Sequence, residues 1–385
     1  MRLKRTNNNG ELRLSDNGKE VVLSGWVHHR RDHGGLIFVD LRDRWGLTQV
    51  MFNPERNKKA HAAAEHIRSE WVISVRGMVE PRMEGMANPK LATGEIEIVV
   101  DELEVLSKSK PLPFPLDEYK DVGEETRLKY RYLDLRREDI QQNLIFRSKV
   151  AEVTRNYFWG REFVEVETPF LMRSTPEGAR DFLVPARRFF GKFYALPQSP
   201  QIYKQLLMVS GFDRYFQITR CFRDEDLRKD RQPEFTQIDF EMSFVDEEDI
   251  FGIIEGLVID IFSKAMNMTI EPKFRRLTYE DAMNRYGVDK PDTRFGLEMV
   301  DVSDLFEKSD FKVFRSVVEN SGIVKSINVR GGASMTRSQI DALIPFAQAQ
   351  GAGGMAWIKA TENGLESNIV KFLDDGCRAA LTERM

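Results

Sequence analysis

The sequence predicts a multidomain α+β protein whose N-terminal part is a small β-barrel of the OB type. Three observations predict it. Short β-rich runs separated by turn signals fill the first 110 residues, a proline cluster then breaks the pattern, and helices alternating with strands follow. The length of 385 residues suits two or three domains, each able to bury its own core.

The barrel comes first. The runs 21–27, 36–41, 47–52, 71–75 and 96–100 read as five strands, with turns at Asp32-His33-Gly34-Gly35, Trp45-Gly46 and Ala92-Thr93-Gly94. A helical patch over 57–69 lies between the third and fourth runs. Five strands with a helix in that place is the pattern of a Greek-key OB barrel. Residues 1–110 hold 18 basic and 16 acidic side chains, net +2, while the remainder is net −6. A mildly basic module on an acidic body fits a nucleic-acid arm, although two charges weigh little.

Pro111, Pro113 and Pro115 cannot sit inside a helix or central strand, so residues 111–130 read as an extended linker or hinge. Helical periodicity begins within 127–137, and 143–160 forms an amphipathic helix with Leu144, Val150, Val153, Tyr157 and Phe158 at helical spacing. Phe163 to Leu171 reads as an alternating strand ending at Pro169. The expected boundaries are 1–110, 111–130, 131–286 and 287–385, the last marked by Gly-rich patches at 330–333 and 351–354.

Composition narrows the chemistry. With 31% charged and 41% hydrophobic residues the chain is a soluble globular protein and not a disordered one. Cys221 and Cys377 form no CxxC pair and no disulfide framework, which suits a reducing compartment. The N-terminus lacks an apolar core and the most apolar stretch, 251–262, is interrupted by Glu255 and Asp260, so the expected location is cytoplasmic. All five histidines (His28, His29, His33, His61, His66) fall in the first 66 residues. Serine–histidine, cysteine–histidine and His-rich zinc sites are therefore excluded from the remaining 319, and no metal site is assigned in the chain.

The most informative segment is 215–244, which reads as strand, charged loop, strand. Ile238, Phe240, Met242 and Phe244 alternate with Gln237, Asp239, Glu241 and Ser243, giving one core face and one row of carboxylates and amides. Such a row is a floor for a polar ligand, and Arg223 could grip a phosphate bidentately. The segment alone reads equally as a solvated hairpin with surface ion pairs. Two others favour a site: the polar loop Ser174 to Asp181, and Gln198-Ser199-Pro200-Gln201-Ile202-Tyr203-Lys204, where two amides and a lysine at a helix entry suit a small zwitterion.

On these segments the chain resembles the class II aminoacyl-tRNA synthetases. The helix–strand–proline unit is similar to their motif 1 and Phe222-Arg223-Asp224-Glu225 to their motif 2. Ser174 to Asp181 with the QSPQIYK segment narrows the resemblance to bacterial-type aspartyl-tRNA synthetases. It implies an OB anticodon-binding domain, an antiparallel-sheet catalytic domain and an α+β insertion domain of the GAD type. It also implies an aspartate–tRNA ligase that activates L-aspartate with ATP and transfers it to tRNA(Asp), working as a cytoplasmic homodimer through the motif 1 helix.

The resemblance carries roles onto residues. Arg223 is the catalytic cation at the ATP α-phosphate; Asp224, Glu225 and Gln232 contact the nucleotide, and Phe235 stacks on adenine. Glu177 and Asp239 hold the amino-acid ammonium, while Gln201 and Lys204 orient aspartate, Lys204 facing its side-chain carboxylate. Arg31, Phe38, Gln49 and Glu97 read the anticodon. His33 and Gly85 resemble the non-discriminating branch, which also charges tRNA(Asn). Arg330 to Ile340 resembles the start of the insertion domain. Motif 3, a later aspartate-binding arginine and the late carboxylate for magnesium are not found in the sequence, so the catalytic and insertion domains are expected to be partial. Such a chain is expected to bind tRNA weakly and to fail in pyrophosphate exchange. Asparaginyl- or lysyl-tRNA synthetase, and a tRNA-binding module without catalysis, remain the alternatives; Lys204 argues against the first two by repelling lysine and suiting asparagine poorly.

Overall fold

Strict alternation of apolar and polar residues closes the N-terminal strands on themselves. The structure, a computed structural model, describes residues 2–117, 122–272, 274–362 and 364–385. The barrel comprises β1 (Glu20–His33), β2 (Leu36–Arg42), β3 (Leu47–Phe52), helix α1 (Lys58–Ala64), β4 (Val72–Pro81) and β5 (Ile96–Ser107). Its closed order is β1-β2-β3-β5-β4, with β3 and β5 parallel and the other pairs antiparallel. Ile37, Val39 and Leu41 on β2 meet Val50, Ile73, Val75 and Ile98 in a fully buried core, as the period of two requires. Asn57 caps α1 by accepting from the amides of Lys59 and Ala60, and Ala60, Ala64 and Ile67 join the barrel core. A register shift between Val27 and His29 bulges β1.

The following segment is tied down. Phe114 and Leu116 are buried with Leu133, and the Trp71 indole donates to Ser109 O at 3.1 Å. Residues 118–121 of the expected linker lie outside the described residues. Next come α2 (Glu124–Lys129), α3 (Arg131–Asp134) and α4 (Glu138–Trp159). Barrel and body are joined by one carboxylate: Glu70, its side chain 2% exposed, binds Arg42 of β2 at 2.9 Å and Arg136 ahead of α4 at 2.8 Å. The Arg136 guanidinium also lies over the Trp26 ring. Glu70→Gln leaves two cations without their acid and is expected to cost about 3 kcal/mol. It should split the urea transition of this unit into separate barrel and body steps; a single, unshifted transition contradicts the clamp.

The body contains β6 (Val164–Glu165), β7 (Leu183–Pro185), β8 (Phe193–Ala195), α5 (Gln201–Val209), β9 (Arg214–Phe222), β10 (Glu234–Met242) and α6 (Glu247–Met266). Its main sheet runs β10-β9-β6, with β9 and β10 antiparallel from Arg214↔Met242 to Phe222↔Glu234. α4 and α6 cover one face: Phe158 stacks on Phe216 with centroids 4.8 Å apart, and Leu257 and Phe163 complete the core. Gly256 lets the helices approach, since a Cβ there would lie 2.3 Å from the Tyr157 hydroxyl. Asp246 caps α6 in a reciprocal box with Asp249.

Three local expectations change. The strand expected over 163–171 pairs only at Val164–Glu165, because the chain leaves the sheet to place Thr168 against Gln217 and Pro169 has no N–H to give. The expected helix begins earlier, at Glu138, and only its C-terminal half is buried; Leu144, Ile145 and Phe146 stay exposed. On β10 the two faces are as expected but burial is not: Ile238 on the core face is 40% exposed and Asp239 on the polar face only 8%. Phe244 lies past the strand end at φ +58°, fully exposed.

The chain divides into two compact units, Met1–Pro272 and Lys273–Met385. The second contains α7 (Tyr279–Tyr286), β11 (Met299–Asp301), α8 (Lys312–Glu319), β12 (Lys325–Ile327), α9 (Arg337–Ala349), β13 (Lys359–Thr361), β14 (Gly364–Glu366) and α10 (Asp375–Arg384). Val302, Phe306, Val324, Leu373 and Leu381 form its core, beneath the β11–β12 ladder. Among the described residues no helix is long and apolar enough to cross a membrane.

Candidate active site

The register of β9 and β10 builds the floor. Cys221 faces Phe235, Thr219 faces Gln237, Gln217 faces Asp239 and Tyr215 faces Glu241, and the period of two sets all eight on the face away from α4 and α6. α5 crosses this face and delivers Lys204, whose Nζ lies 2.9 Å from Asp239 Oδ1 and 3.2 Å from Glu241 Oε2. That crossing explains why Asp239 is buried although Ile238 is not.

One ammonium serving two acids leaves the acids underserved. Burial opposes the charge on Lys204, but the hydrogen bond and charge of Asp239, with Glu241, raise its pKa. Burial raises the Asp239 pKa by more than Lys204 lowers it. Asp239 Oδ2 is buried and makes no hydrogen bond of regular geometry among the described residues, although the Tyr215 hydroxyl interacts with the same carboxylate. Tyr215, which donates to Gln217 Oε1 at 3.0 Å, is held far above the usual phenol range by burial and then by Asp239. A buried, charged acceptor without a well-placed donor is a place for a ligand cation.

The loop 174–181 closes one side. Glu177 accepts from Thr175 Oγ1 at 2.9 Å and from Ser199 Oγ at 2.6 Å. Gln198, 2% exposed, accepts from Ala179 N at 3.0 Å and donates to Ala179 O at 2.9 Å and Asp181 Oδ1 at 2.6 Å. The loop is thus stapled in place, and Asp224 N also donates to Arg180 O at 3.0 Å. Gln198→Ala should cost about 1 kcal/mol locally and speed hydrogen exchange at the Ala179 amide several-fold; unchanged exchange there contradicts the staple.

Arg223 follows β9 with its guanidinium 5.1 Å from the centre of the Phe235 ring. The thiol of Cys221 is pushed up to about 11 by burial and then by Asp239, while Arg223 and Lys204 pull it down and Glu177 raises it further. The charges of Glu177, Lys204, Arg223 and Asp239 all act on this one buried thiol, and Phe235 is its cross-strand neighbour. Gln201, the first residue of α5, is half-buried at the rim. Asp224, Glu225 and Gln232 lie in the exposed β9–β10 connection, where Glu225 stands 3.6 Å from Arg231.

On the barrel, Arg31 Nη2 donates to Asp40 Oδ1 at 2.9 Å and reaches Gln49 Oε1 at 3.4 Å, and Gln49 Nε2 donates to Glu97 Oε2 at 2.6 Å. Phe38 lies opposite Arg31 in the β1–β2 ladder. Burial holds the Glu97 carboxyl above the usual range, against the pull of the Gln49 hydrogen bond. His33, paired with Leu36, is exposed at the end of β1, and Gly85, at φ +77°, lies in the β4–β5 connection; neither takes part in the Arg31–Gln49–Glu97 hydrogen bonds. His28, His29 and Asp117 gather ligand atoms within 4.8 Å. Arg42 donates to His28 Nδ1 at 2.8 Å and so occupies that lone pair, and burial and then that guanidinium lower the His28 pKa.

Residues 123–366 match the family described as tRNA synthetases class II (D, K and N). The chain belongs to that family. Residues 21–106 match the OB-fold nucleic acid binding domain. Proteins named aspartate–tRNA(Asp/Asn) ligase from Geotalea uraniireducens and Aquifex aeolicus are 58% and 54% identical over 96% and 99% of this chain. The chain spans 62% and 63% of their lengths. Asparaginyl-tRNA synthetase from Pyrococcus horikoshii, complexed with asparaginyl-adenylate, superposes with a TM-score of 0.59 at 25% identity, over 66% of this chain and 56% of that one. Aspartyl-tRNA synthetase from Entamoeba histolytica shares the fold with a TM-score of 0.58, at 23% identity over 70% and 56%.

Within the family fold, several residues at these sites were not singled out from sequence. Asp40 links Arg31 toward Gln49 and Arg82 is a half-buried cation beside Glu97, whereas Gln198 and Ser199, already named in the helix-entry segment, hold the loop. Glu241 had a signal, since it shares the Asp239 strand face two residues on. Asp40 had none, because its role depends on cross-strand register.

Proposed function

We propose that this chain carries the amino-acid and nucleotide floor and the anticodon barrel of an aspartate–tRNA ligase acting on tRNA(Asp) and tRNA(Asn). The observation that carries the reading is the buried Oδ2 of Asp239, without a regular hydrogen bond among the described residues, beside Lys204. A zwitterion with a second carboxylate fits it: the ammonium goes to Asp239 and Glu177, and the side-chain carboxylate to Lys204. Two of the three donors of Lys204 are taken by Asp239 and Glu241, leaving one for the ligand. Gln201 orients the substrate from the rim.

ATP lies with adenine on Phe235 and its α-phosphate against Arg223; Asp224, Glu225 and Gln232 border the nucleotide. The aspartate α-carboxylate attacks the α-phosphorus and pyrophosphate leaves, giving aspartyl-adenylate. A hydroxyl of the terminal tRNA ribose then attacks the activated carbonyl and AMP leaves. Both steps need positioning and cationic stabilisation more than a protein nucleophile, consistent with a buried Cys221 and no histidine at this site. Magnesium is expected to come with the ATP; four carboxylates of this site already have partners among the described residues. Asp239 and Glu241 are bound to Lys204, Glu225 faces Arg231, and Glu177 takes two hydroxyls.

Arg31, Phe38, Gln49 and Glu97 form the anticodon platform, with His33 and Gly85 setting tolerance for tRNA(Asn). The exposed Leu144, Ile145 and Phe146 on α4 support a homodimer contact, and the absence of a spanning helix among the described residues is compatible with a cytoplasmic enzyme. Aspartate-dependent ATP–pyrophosphate exchange tests the reading, with L-asparagine and L-lysine as controls and aspartate charging of both tRNAs as the second step. This chain is expected to bind tRNA weakly and to fail in exchange; exchange with aspartate alone places the ligase chemistry on these residues, silence with tRNA binding retained leaves a binding module, and no aspartyl-tRNA(Asn) removes the wider specificity.

A further inference from the structure

The β7–β8 hairpin rises from the candidate site and is bare at its tip. Its strands pair Leu183↔Ala195, Val184↔Tyr194 and Pro185↔Phe193, and the turn is closed by Ala186 N to Lys192 O at 2.9 Å and Lys192 N to Phe189 O at 3.1 Å. Gly191 at φ +72° supplies the left-handed residue that the turn needs. The tip reads Arg187-Arg188-Phe189-Phe190-Gly191-Lys192 and every residue in it is exposed, Phe189 at 60% and Phe190 at 108%. No Asp or Glu occurs from 182 to 212. Arg187, Arg188 and Lys192 have no ion-pair partner among the described residues, so the tip carries three uncompensated cations around two bare rings.

The root of the hairpin is the site itself. Leu196 N donates to Phe182 O at 2.9 Å, and Asp181 at one end and Gln198 at the other are hydrogen-bonded to each other. Three-residue strands put the tip about 10 Å out from that root.

We propose that this tip is a docking platform for the unpaired 3′ end of tRNA, with Phe190 stacking on a base and Arg187 and Arg188 on adjacent phosphates. The inference rests on the ligase reading, which requires the terminal ribose to reach the floor past the hairpin. An exposed ring can stack only on an unpaired base, because bases in a duplex are already stacked; cations beside it match a bare phosphate chain. Charge complementarity thus favours a single strand over a second copy of this net-negative protein.

The test uses the 385-residue chain and fluorescence anisotropy with two probes: a complete tRNA(Asp) transcript, and the same transcript without its unpaired 3′ tail. Phe190→Ala should weaken binding of the complete transcript roughly tenfold and leave the trimmed one unchanged. Arg187→Gln with Arg188→Gln should reduce the salt slope of log K by about 1.4 for the complete transcript only. Phe190 buries nothing, so neither variant should alter folding, which circular dichroism checks. Equal losses with both probes, or none with either, overturn the proposal. So does a Phe190→Ala variant whose only change is a shift from dimer to monomer in sedimentation, since the tip is then a contact between copies. If the wild-type chain binds both probes equally, the platform fails while the ligase reading stands; if it binds neither, both fall.

Discussion

Arg223→Ala is expected to weaken binding of a non-hydrolysable aspartyl-adenylate analogue by about 1.5–3 kcal/mol, roughly ten- to a hundredfold. The guanidinium is anchored at the end of β9, where Arg223 N donates to Pro233 O at 2.8 Å, and it lies over Phe235 on the face shared with Asp239. An anionic phosphate there would be held by two parallel donors, and Arg223 is the arginine among the main charges acting on Cys221. Arg223→Lys should recover only part of the loss, because an ammonium supplies charge without the planar fork. Affinity for tRNA should barely change, since the barrel residues lie on another module. Equal losses in analogue and tRNA binding contradict the assignment.

Lys204→Met should have a large effect on stability. The Lys204 and Asp239 side chains are 13% and 10% exposed, and removing the lysine strands a buried carboxylate at a cost of about 3 kcal/mol. Urea denaturation measures it, and Lys204→Met with Asp239→Asn should recover most of the stability but not aspartate binding. An intact aspartate affinity in either variant sinks the role. The pH dependence has a defined sign. The folded pKa of Lys204 is raised, so its contribution is complete below the ordinary value of 10.5 and is lost as pH climbs through the folded one. Cys221, raised from 9.0 to about 11, and Tyr215, raised from 10.0, act in the same direction, because each keeps its proton longer when folded. The wild-type unit should therefore lose stability progressively above pH 9 and the Lys204→Met variant less so. Asp239 works at the other end: its raised pKa makes the fold relatively more stable as pH falls through the folded value toward 3.8.

Much of this was legible in the residues, for identifiable reasons. The barrel strands announce themselves because Ile37, Val39 and Leu41 alternate with polar residues and must face one core. The family was legible because Phe222 to Glu225 and the QSPQIYK segment hold fixed spacing in loops, where packing does not dictate residue type. The burial of Asp239 was not, because α5 crosses a sheet face that alternation marks as open. The long strand expected at 163–171 failed because local pattern cannot reveal that Thr168 leaves its ladder to bind Gln217. Glu70, at φ +63°, carries no signal in the sequence; only the meeting of β2 with the segment ahead of α4 surrounds it with arginines. The hairpin tip passed unnoticed because an Arg-Arg-Phe-Phe run reads as half core until the fold leaves it outside.

Cys221 has a practical corollary. The second cysteine, Cys377, belongs to the other unit, so Cys221 is the only sulfhydryl in residues 1–272. It is fully enclosed, 3.1 Å from Gln237 Oε1, and protonated at neutral pH. An alkylating reagent can modify it only when the β9–β10 pair parts, so its labelling rate is a clock for breathing of that pair. Any molecule that bridges the two strands from above will slow that clock, which turns a chemically silent atom into a gauge of occupancy.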